Sequence, residues 1–252
     1  MPPVTLHMIL ARRLAAGLAE TLFEELPGPY LLGATAPDIR VITREDRRNT
    51  HFFDLSVFDH QDSVAGFFEA QSHLADPARL NPETRAFVAG YVTHLVLDEQ
   101  YITGVYRRFF AHHDTIGGSV RANVMDRLLQ FDLDRSHGDA ALRADLCSAL
   151  TCTIEAIDAG FVDGETLERW RQVACDIAAR NMDWDRARAM IERPLRRSGL
   201  NDEAGELSAF LDSLPELLDE TIGHVTSAEV DGFVERATAA AAAAVTRYLE
   251  CG

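Results

Sequence analysis

Apolar residues recur with a period of about 3.6 along nearly the whole chain, and no segment has the strict alternation of a half-buried strand. That pattern restricts the fold to an all-α multi-helix bundle. From Leu6 to Leu26 the leucines at 6, 10, 14, 18 and 22 fall every fourth residue, with Thr5 as an N-cap and Pro27-Gly28-Pro29 as a stop. Asn81-Pro82-Glu83 reads as a cap, a proline at the first helical position and an acidic second residue. It opens a helix expected to run to about Phe110, about 40–45 Å long, enough to cross the middle of a domain. Further helices are expected near 62–76, 119–131, 139–160, 165–193 (with a break near Asn181), 202–222 and 227–250. The stretch ATAAAAAAVTRYLE in the last has high helix propensity and allows close helix packing. A boundary at Pro194 to Asn201 would set apart a C-terminal helical pair.

Charge narrows the functions. With 24 Lys+Arg against 40 Asp+Glu, the net charge is −16. A surface this acidic does not grip phosphates as nucleic-acid binding requires, and it disfavours an anionic membrane. No run reaches the ~18 uncharged apolar residues of a membrane span. Arg12 and Arg13 interrupt the N-terminal apolar run, which therefore does not read as a signal peptide. Cys147, Cys152, Cys175 and Cys251 form no CxxC pair, so free thiols in a reducing cytoplasm are expected.

The chemistry concentrates in the first half. In YVTHLVLDEQY, His94 and Asp98 are four apart and emerge on one helix face. Gly90, one turn earlier, leaves room for another backbone or a ligand. An unpaired Asp98 among Leu95, Val96, Leu97, Tyr101 and Ile102 would be costly to bury, and a divalent cation shared with His94 would offset that cost. Asp38 follows Pro37 in LLGATAPDIR, and His51 lies in RRNTHFFD. Two imidazoles and two carboxylates suit a divalent ion such as zinc. His7 lies on the inward face of the first helix with Leu10, Ala11 and Leu14, as a fifth ligand or as a hydrogen-bonded core histidine.

The succession of His7, GATAPDI with Asp38, THF with His51 and GYVTHLVLD with His94 and Asp98 resembles the zinc-dependent phospholipase C family, related in fold to the P1-type nucleases. The resemblance covers about residues 1–115. It implies that Asp38, His51, His94 and Asp98 hold one zinc, and that His7 lies on a neighbouring zinc bridged by Asp98. Secreted members use an N-terminal tryptophan as ligand, whereas this chain starts Met1-Pro2-Pro3. They also carry a histidine shortly after the helix aspartate, whereas the next here are His112 and His113. One or two zinc ions (or iron or manganese) are therefore expected, not three.

The resulting expectation is a cytoplasmic metal-dependent hydrolase acting on a phosphate ester or related small molecule through a metal-activated water. Asp38 and Asp98 are the candidate catalytic residues. Arg40 and Arg48, together with Arg44 and Arg47, form a candidate positive clamp for the substrate, or else salt bridges with Glu45 and Asp46 on a solvated loop. Phe52, Phe53, Phe58, Phe67, Phe68 and Tyr91 supply apolar surface, Phe67 and Phe68 as core. An HD-type phosphohydrolase using His94, His113-Asp114 and Asp126 is an alternative. So are a repurposed biosynthetic metalloenzyme and a non-catalytic helical module with a structural metal. The chain reads as one helical domain over 1–252, with the metal-site core in about 1–135 and a helical part in about 139–252.

Overall fold

The computed structural model describes residues 2–18, 20–197 and 205–251, which are helix and loop with no strand. The first half contains α1 (Val4–Gly17), α2 (Thr21–Glu25), α3 (Pro27–Gly33), α4 (Arg40–Thr43), α5 (Arg47–His51), α6 (Ser63–Ala70) and α7 (Pro82–Tyr101). The second contains α8 (Ser119–His137), α9 (Ala140–Leu150), α10 (Gly164–Ala178), α11 (Trp184–Arg197), α12 (Glu206–Asp212), α13 (Leu214–Val225) and α14 (Ser227–Glu250). Among the described residues no helix is long and apolar enough to cross a membrane.

α7 is the axis of the fold. Its N-terminus is fixed as the sequence dictates: Asn81 Oδ1 accepts from the Thr84 amide, Pro82 opens the helix and Glu83 sits in the first turn. The helix is wrapped by α3, α14, α1 and α6, so that Phe87, Val88, Ala89, Val92, Thr93 and His94 are all buried. α3 lies close against it through two glycines. A Cβ on Gly33 would strike the Phe87 carbonyl, and one on Gly90 would strike the Tyr30 carbonyl. The space expected beside Gly90 is thus filled by another backbone. Tyr30 hydroxyl and Thr93 Oγ1, 3.0 Å apart, tie the same two helices.

Several boundaries differ from expectation. The Leu6–Leu26 run divides into α1 and α2, and Pro27-Gly28-Pro29 opens α3 instead of stopping a helix, because prolines in a first turn forfeit no intrahelical hydrogen bond. Thr5 is buried inside α1, whose cap is Pro3. The 62–76 helix is α6 followed by a 3₁₀ turn at Ser72–Leu74, and the 139–160 helix ends with α9 at Leu150. α8 runs six residues past the expected 131, to His137. The break near Asn181 is real, between α10 and α11, and α14 has the expected extent. The 202–222 helix is two, α12 and α13. Pro194 lies within the span of α11, and 198–201 lie outside the described residues. Beyond Tyr101 the long helix continues to Phe110 with π geometry (Ile102–Phe110), its last turn closed by the Ala111 amide on the Tyr106 carbonyl, five residues back. Such segments occur often at functional sites.

Candidate metal centre

Five of the residues singled out by the sequence converge. α1 carries His7, α7 carries His94 and Asp98, α5 carries His51, and the 3₁₀ turn Ala36–Ile39 that follows α3 carries Asp38. All five are buried. Three imidazoles surround Asp98: His7 Nε2 is 3.3 Å from Oδ1, while His51 Nε2 and His94 Nε2 are 3.4 and 4.0 Å from Oδ2. His51 Nε2 also lies 3.6 Å from Asp38 Oδ1. The rings of His7 and His94 stack with centroids 3.7 Å apart. Two donor groups result, His7/His94/Asp98 and Asp38/His51/His94, each with its ligand atoms within 4.8 Å of one another. They share His94.

Hydrogen bonds on the far side of the rings fix what the near side offers. His94 Nδ1 lies 2.9 Å from the Ala34 carbonyl, which only accepts, so Nδ1 carries the proton and the neutral ring presents a lone pair on Nε2. Thr50 gives its hydroxyl hydrogen to the Arg47 carbonyl, so its oxygen accepts from His51 Nδ1, 2.9 Å away. In the neutral ring of that tautomer His51 Nε2 would present a lone pair. The two Nε2 atoms face each other at 3.4 Å, an arrangement that calls for a cation or a shared proton between them. His7 Nδ1 and Nε2 and Asp98 Oδ1 are buried without a hydrogen-bond partner; the 3.3 Å His7–Asp98 approach is close but not aligned as a hydrogen bond. Buried orphans of this kind cost about 1–3 kcal/mol each when left unsatisfied.

Hydrogen bonds from neighbouring side chains brace the cluster. Trp170 Nε1 donates to Thr35 Oγ1, which donates to the Leu32 carbonyl, and so holds the turn from Ala34 to Asp38. Tyr91 donates its hydroxyl to the Thr50 carbonyl beside His51. Tyr91 stacks on Phe67 at 4.5 Å, and Phe67 and Phe53 are buried, whereas Phe58 is exposed.

Burial and neighbouring groups act against each other in the site. Burial alone would raise the Asp98 carboxyl, yet His7, His94 and His51 around it hold it well below the usual carboxylate range. Asp38 is likewise opposed by burial and lowered by His51 and His94. His94, disfavoured as a cation by burial and by His7, is pushed down to about 3 and is neutral. The Arg47 guanidinium is a further partner of the cluster, its Nη2 2.7 Å from Asp98 Oδ2.

Arg47 is the residue that sequence reasoning misplaced. Arg48 is 65% exposed and pairs with Asp46 at 2.9 Å and Asp54 at 3.9 Å, the solvated-loop arrangement and not a clamp on the cluster. Arg40 is half-buried, with Nε lacking a hydrogen-bond partner, and Arg44 is exposed with φ at 68°. The signal for Arg47 is its spacing. α5 is one turn of helix between the Asp46 cap and Phe52 in the left-handed region (φ 51°), so Arg47 and His51, four apart, share a face that Arg48 does not.

The HD-type grouping does not assemble. His113 sits on a short 3₁₀ turn, Asp126 on α8 accepts from the Tyr101 hydroxyl at 2.7 Å, and among the described residues neither they nor His112 and Asp114 join a donor group with His94. No protein-family model, curated protein or solved structure matches the chain.

Proposed function

We propose that the cluster is a divalent-metal centre, zinc by its nitrogen and oxygen donors, and that the chain is a metal-dependent hydrolase of phosphate esters, similar in fold to the zinc-dependent phospholipases C and P1-type nucleases. The reading rests on one observation: two buried three-donor groups share His94, whose Nε2 lies 3.4 Å from His51 Nε2. The donors fit the ion, since His7 and Asp98 Oδ1 lack the partners that coordination would provide. When bound, a divalent ion there supplies a Lewis acid that polarises a phosphate oxygen and lowers the pKa of a water to about 7.

The chain's own groups divide the remaining work. Asp38, whose side chain is 11% exposed against 0–3% for His7, His51, His94 and Asp98, is the carboxylate at the open edge and accepts the proton of the attacking water. Arg47, also 11% exposed, binds a non-bridging phosphate oxygen as negative charge develops there. Asp98 orients three imidazoles and the Arg47 guanidinium. A cleft of about 260 Å³ lined by Ala36, Ile39, Thr43, Asn49 and Thr50 opens beside the Ala36–Ile39 turn that carries Asp38. A structural metal is the second reading, favoured by the near-complete burial of His7 and His94.

The test is turnover of bis(4-nitrophenyl) phosphate by zinc-loaded protein. The hydrolase reading expects activity that falls at least about 10²-fold in Asp38→Asn with zinc content retained. Bound zinc without turnover leaves the structural reading, and the hydrolase falls.

A further inference from the structure

The cleft of about 260 Å³ beside the Ala36–Ile39 turn gathers side chains from separate parts of the chain. Thr43 ends α4, Glu45 follows it, Asn49 lies on α5, Gln71 is the C-cap of α6, and Phe161 stands just before α10. Among the described residues the side chains of Glu45, Asn49 and Gln71 have no hydrogen-bond or ion-pair partner, whereas Asp46, Arg48 and Asp54, close by in sequence, pair with one another. Glu45 and Asn49 are exposed and Gln71 is half-buried, so their polar atoms are open to a ligand.

The apolar side of the cleft is well fixed. The half-buried Phe161 ring has its centroid 5.5 Å from that of Tyr91, 6.0 Å from Phe67 and 6.5 Å from Phe87. Tyr91 is buried at the back, its hydroxyl donated to the Thr50 carbonyl. Burial first, then the carboxylates of Glu45 and Asp38, push that hydroxyl's pKa up, so Glu45 turns its charge toward the cleft.

Donors and acceptors are mixed among the open groups. Each amide offers both, and the Glu45 carboxylate only accepts. Thr43 Oγ1 accepts from the Glu45 amide at 3.4 Å and keeps its hydrogen to donate. Asp163 is already answered by the Thr166 amide and hydroxyl, each at 2.8 Å. None of the lining residues is Lys or Arg, so a phosphate or carboxylate would meet only like charge. A cation donates only, and would leave the two amides and Thr43 with N–H and O–H groups unanswered. Adjacent hydroxyls on one ring both give and take hydrogen bonds, and the ring's C–H face suits Phe161, Ile39 and Val162. The volume lies just under the ~300–1,000 Å³ of drug-sized sites, which suits a single ring.

We propose that this cleft binds an uncharged polyhydroxyl ring, a sugar or a cyclitol, with its hydroxyls on Glu45, Asn49 and Gln71 and its C–H face on Phe161. This site goes beyond the hydrolase reading and does not depend on it.

The probes are methyl α-D-glucopyranoside, methyl α-D-mannopyranoside and myo-inositol, each titrated into the full chain and followed by saturation-transfer NMR, beside tetramethylammonium and inorganic phosphate. Saturable binding of at least one ring is expected, weakened at least about fivefold in each of Asn49→Leu and Gln71→Leu. It should be unchanged in Glu69→Leu, an exposed position on α6 outside the cleft. None of the three positions is buried, so circular dichroism should show wild-type helical content in every variant. No saturable binding by any of the three rings, or binding that both cleft variants leave intact, overturns the proposal. So does a preference for tetramethylammonium that falls in Glu45→Gln and not in Asn49→Leu, which would make the cleft a cation site. Because the readout is binding, a chain that holds the ring but turns over no phosphate ester loses the hydrolase reading and keeps this site.

Discussion

Gly90→Ala is the substitution by which the fold most directly reaches the candidate metal centre. A Cβ at position 90 meets the Tyr30 carbonyl first, then the Ala34 amide nitrogen at 2.7 Å and the Gly33 carbonyl carbon at 3.0 Å. All of these are backbone atoms of α3 and its C-cap, so no flexible side chain can yield. Restoring van der Waals contact with Ala34 alone requires α3 and α7 to part by about 0.7 Å. The His94 Nδ1 to Ala34 oxygen bond, 2.9 Å long, would then stretch to about 3.6 Å, beyond hydrogen-bond range. Overpacking of this kind costs about 1–3 kcal/mol and the lost buried hydrogen bond about 1–3 kcal/mol more. A loss of about 4 kcal/mol lowers the melting temperature of a chain this size by about 8–16 °C. Because the Ala34 carbonyl fixes the His94 tautomer, zinc affinity should also fall about 10- to 100-fold. Scanning calorimetry and competition titration with a zinc indicator read the two effects. Gly223→Ala, exposed on α13 with nothing within 4 Å, is the control and should be neutral or slightly stabilising. A Gly90→Ala protein with wild-type melting and wild-type zinc affinity would refute the reasoning.

Arg47→Ala removes the guanidinium against Asp98 and should cost the metal-free protein about 3 kcal/mol in urea unfolding, whereas Arg48→Ala should stay within about 0.5 kcal/mol; equal effects would contradict the assignment. At the far end of α8, Arg143 pairs with the fully buried Asp134. Arg143→Ala should cost about 3–5 kcal/mol, and Asp134→Leu in the same protein should recover most of it; no recovery would mean that the loss is packing and not charge. In the metal-free protein His94 titrates near 3 when folded and near its ordinary 6.5 when unfolded. Below pH 6.5 the unfolded chain therefore binds a proton that the folded one does not. Stability from this group is complete above 6.5 and is lost as the pH falls toward 3, by about 2 kcal/mol at pH 5. The difference in unfolding free energy between pH 7 and pH 5 should shrink by that amount in His94→Gln, and an unchanged difference would count against a neutral buried His94.

The helical class and the His94/Asp98 part of the candidate cluster were legible because both rest on local spacing. His94 and Asp98 share a helix face whatever surrounds them, and Asn81-Pro82-Glu83 caps α7 through contacts within three residues. The convergence of His7, Asp38 and His51 on that face depends on packing between α1, α3, α5 and α7, which the periodicity of any one of them does not encode; the ordered motifs along residues 7–98 anticipated it. Which arginine contacts the cluster was not legible because four of them lie within nine residues, and only the short capped turn Arg47–His51 decides which one faces inward. Pro27-Gly28-Pro29 was misread because proline stops a preceding helix and opens a following one with the same local chemistry. Nothing in the apolar pattern of Ile102–Phe110 distinguishes π from α geometry, since side chains of either class sustain both.

The central claim is that buried imidazoles and carboxylates close on a divalent ion. Its most direct measurement is elemental analysis of the chain after chelation, re-exposure to zinc and exhaustive dialysis, beside Asp98→Asn and His94→Gln treated identically. About one to two zinc ions should remain per wild-type chain, with a marked loss in both variants whose helical content is unchanged. A wild-type chain that emerges folded but free of metal, or variants that keep as much as the wild type, would contradict it.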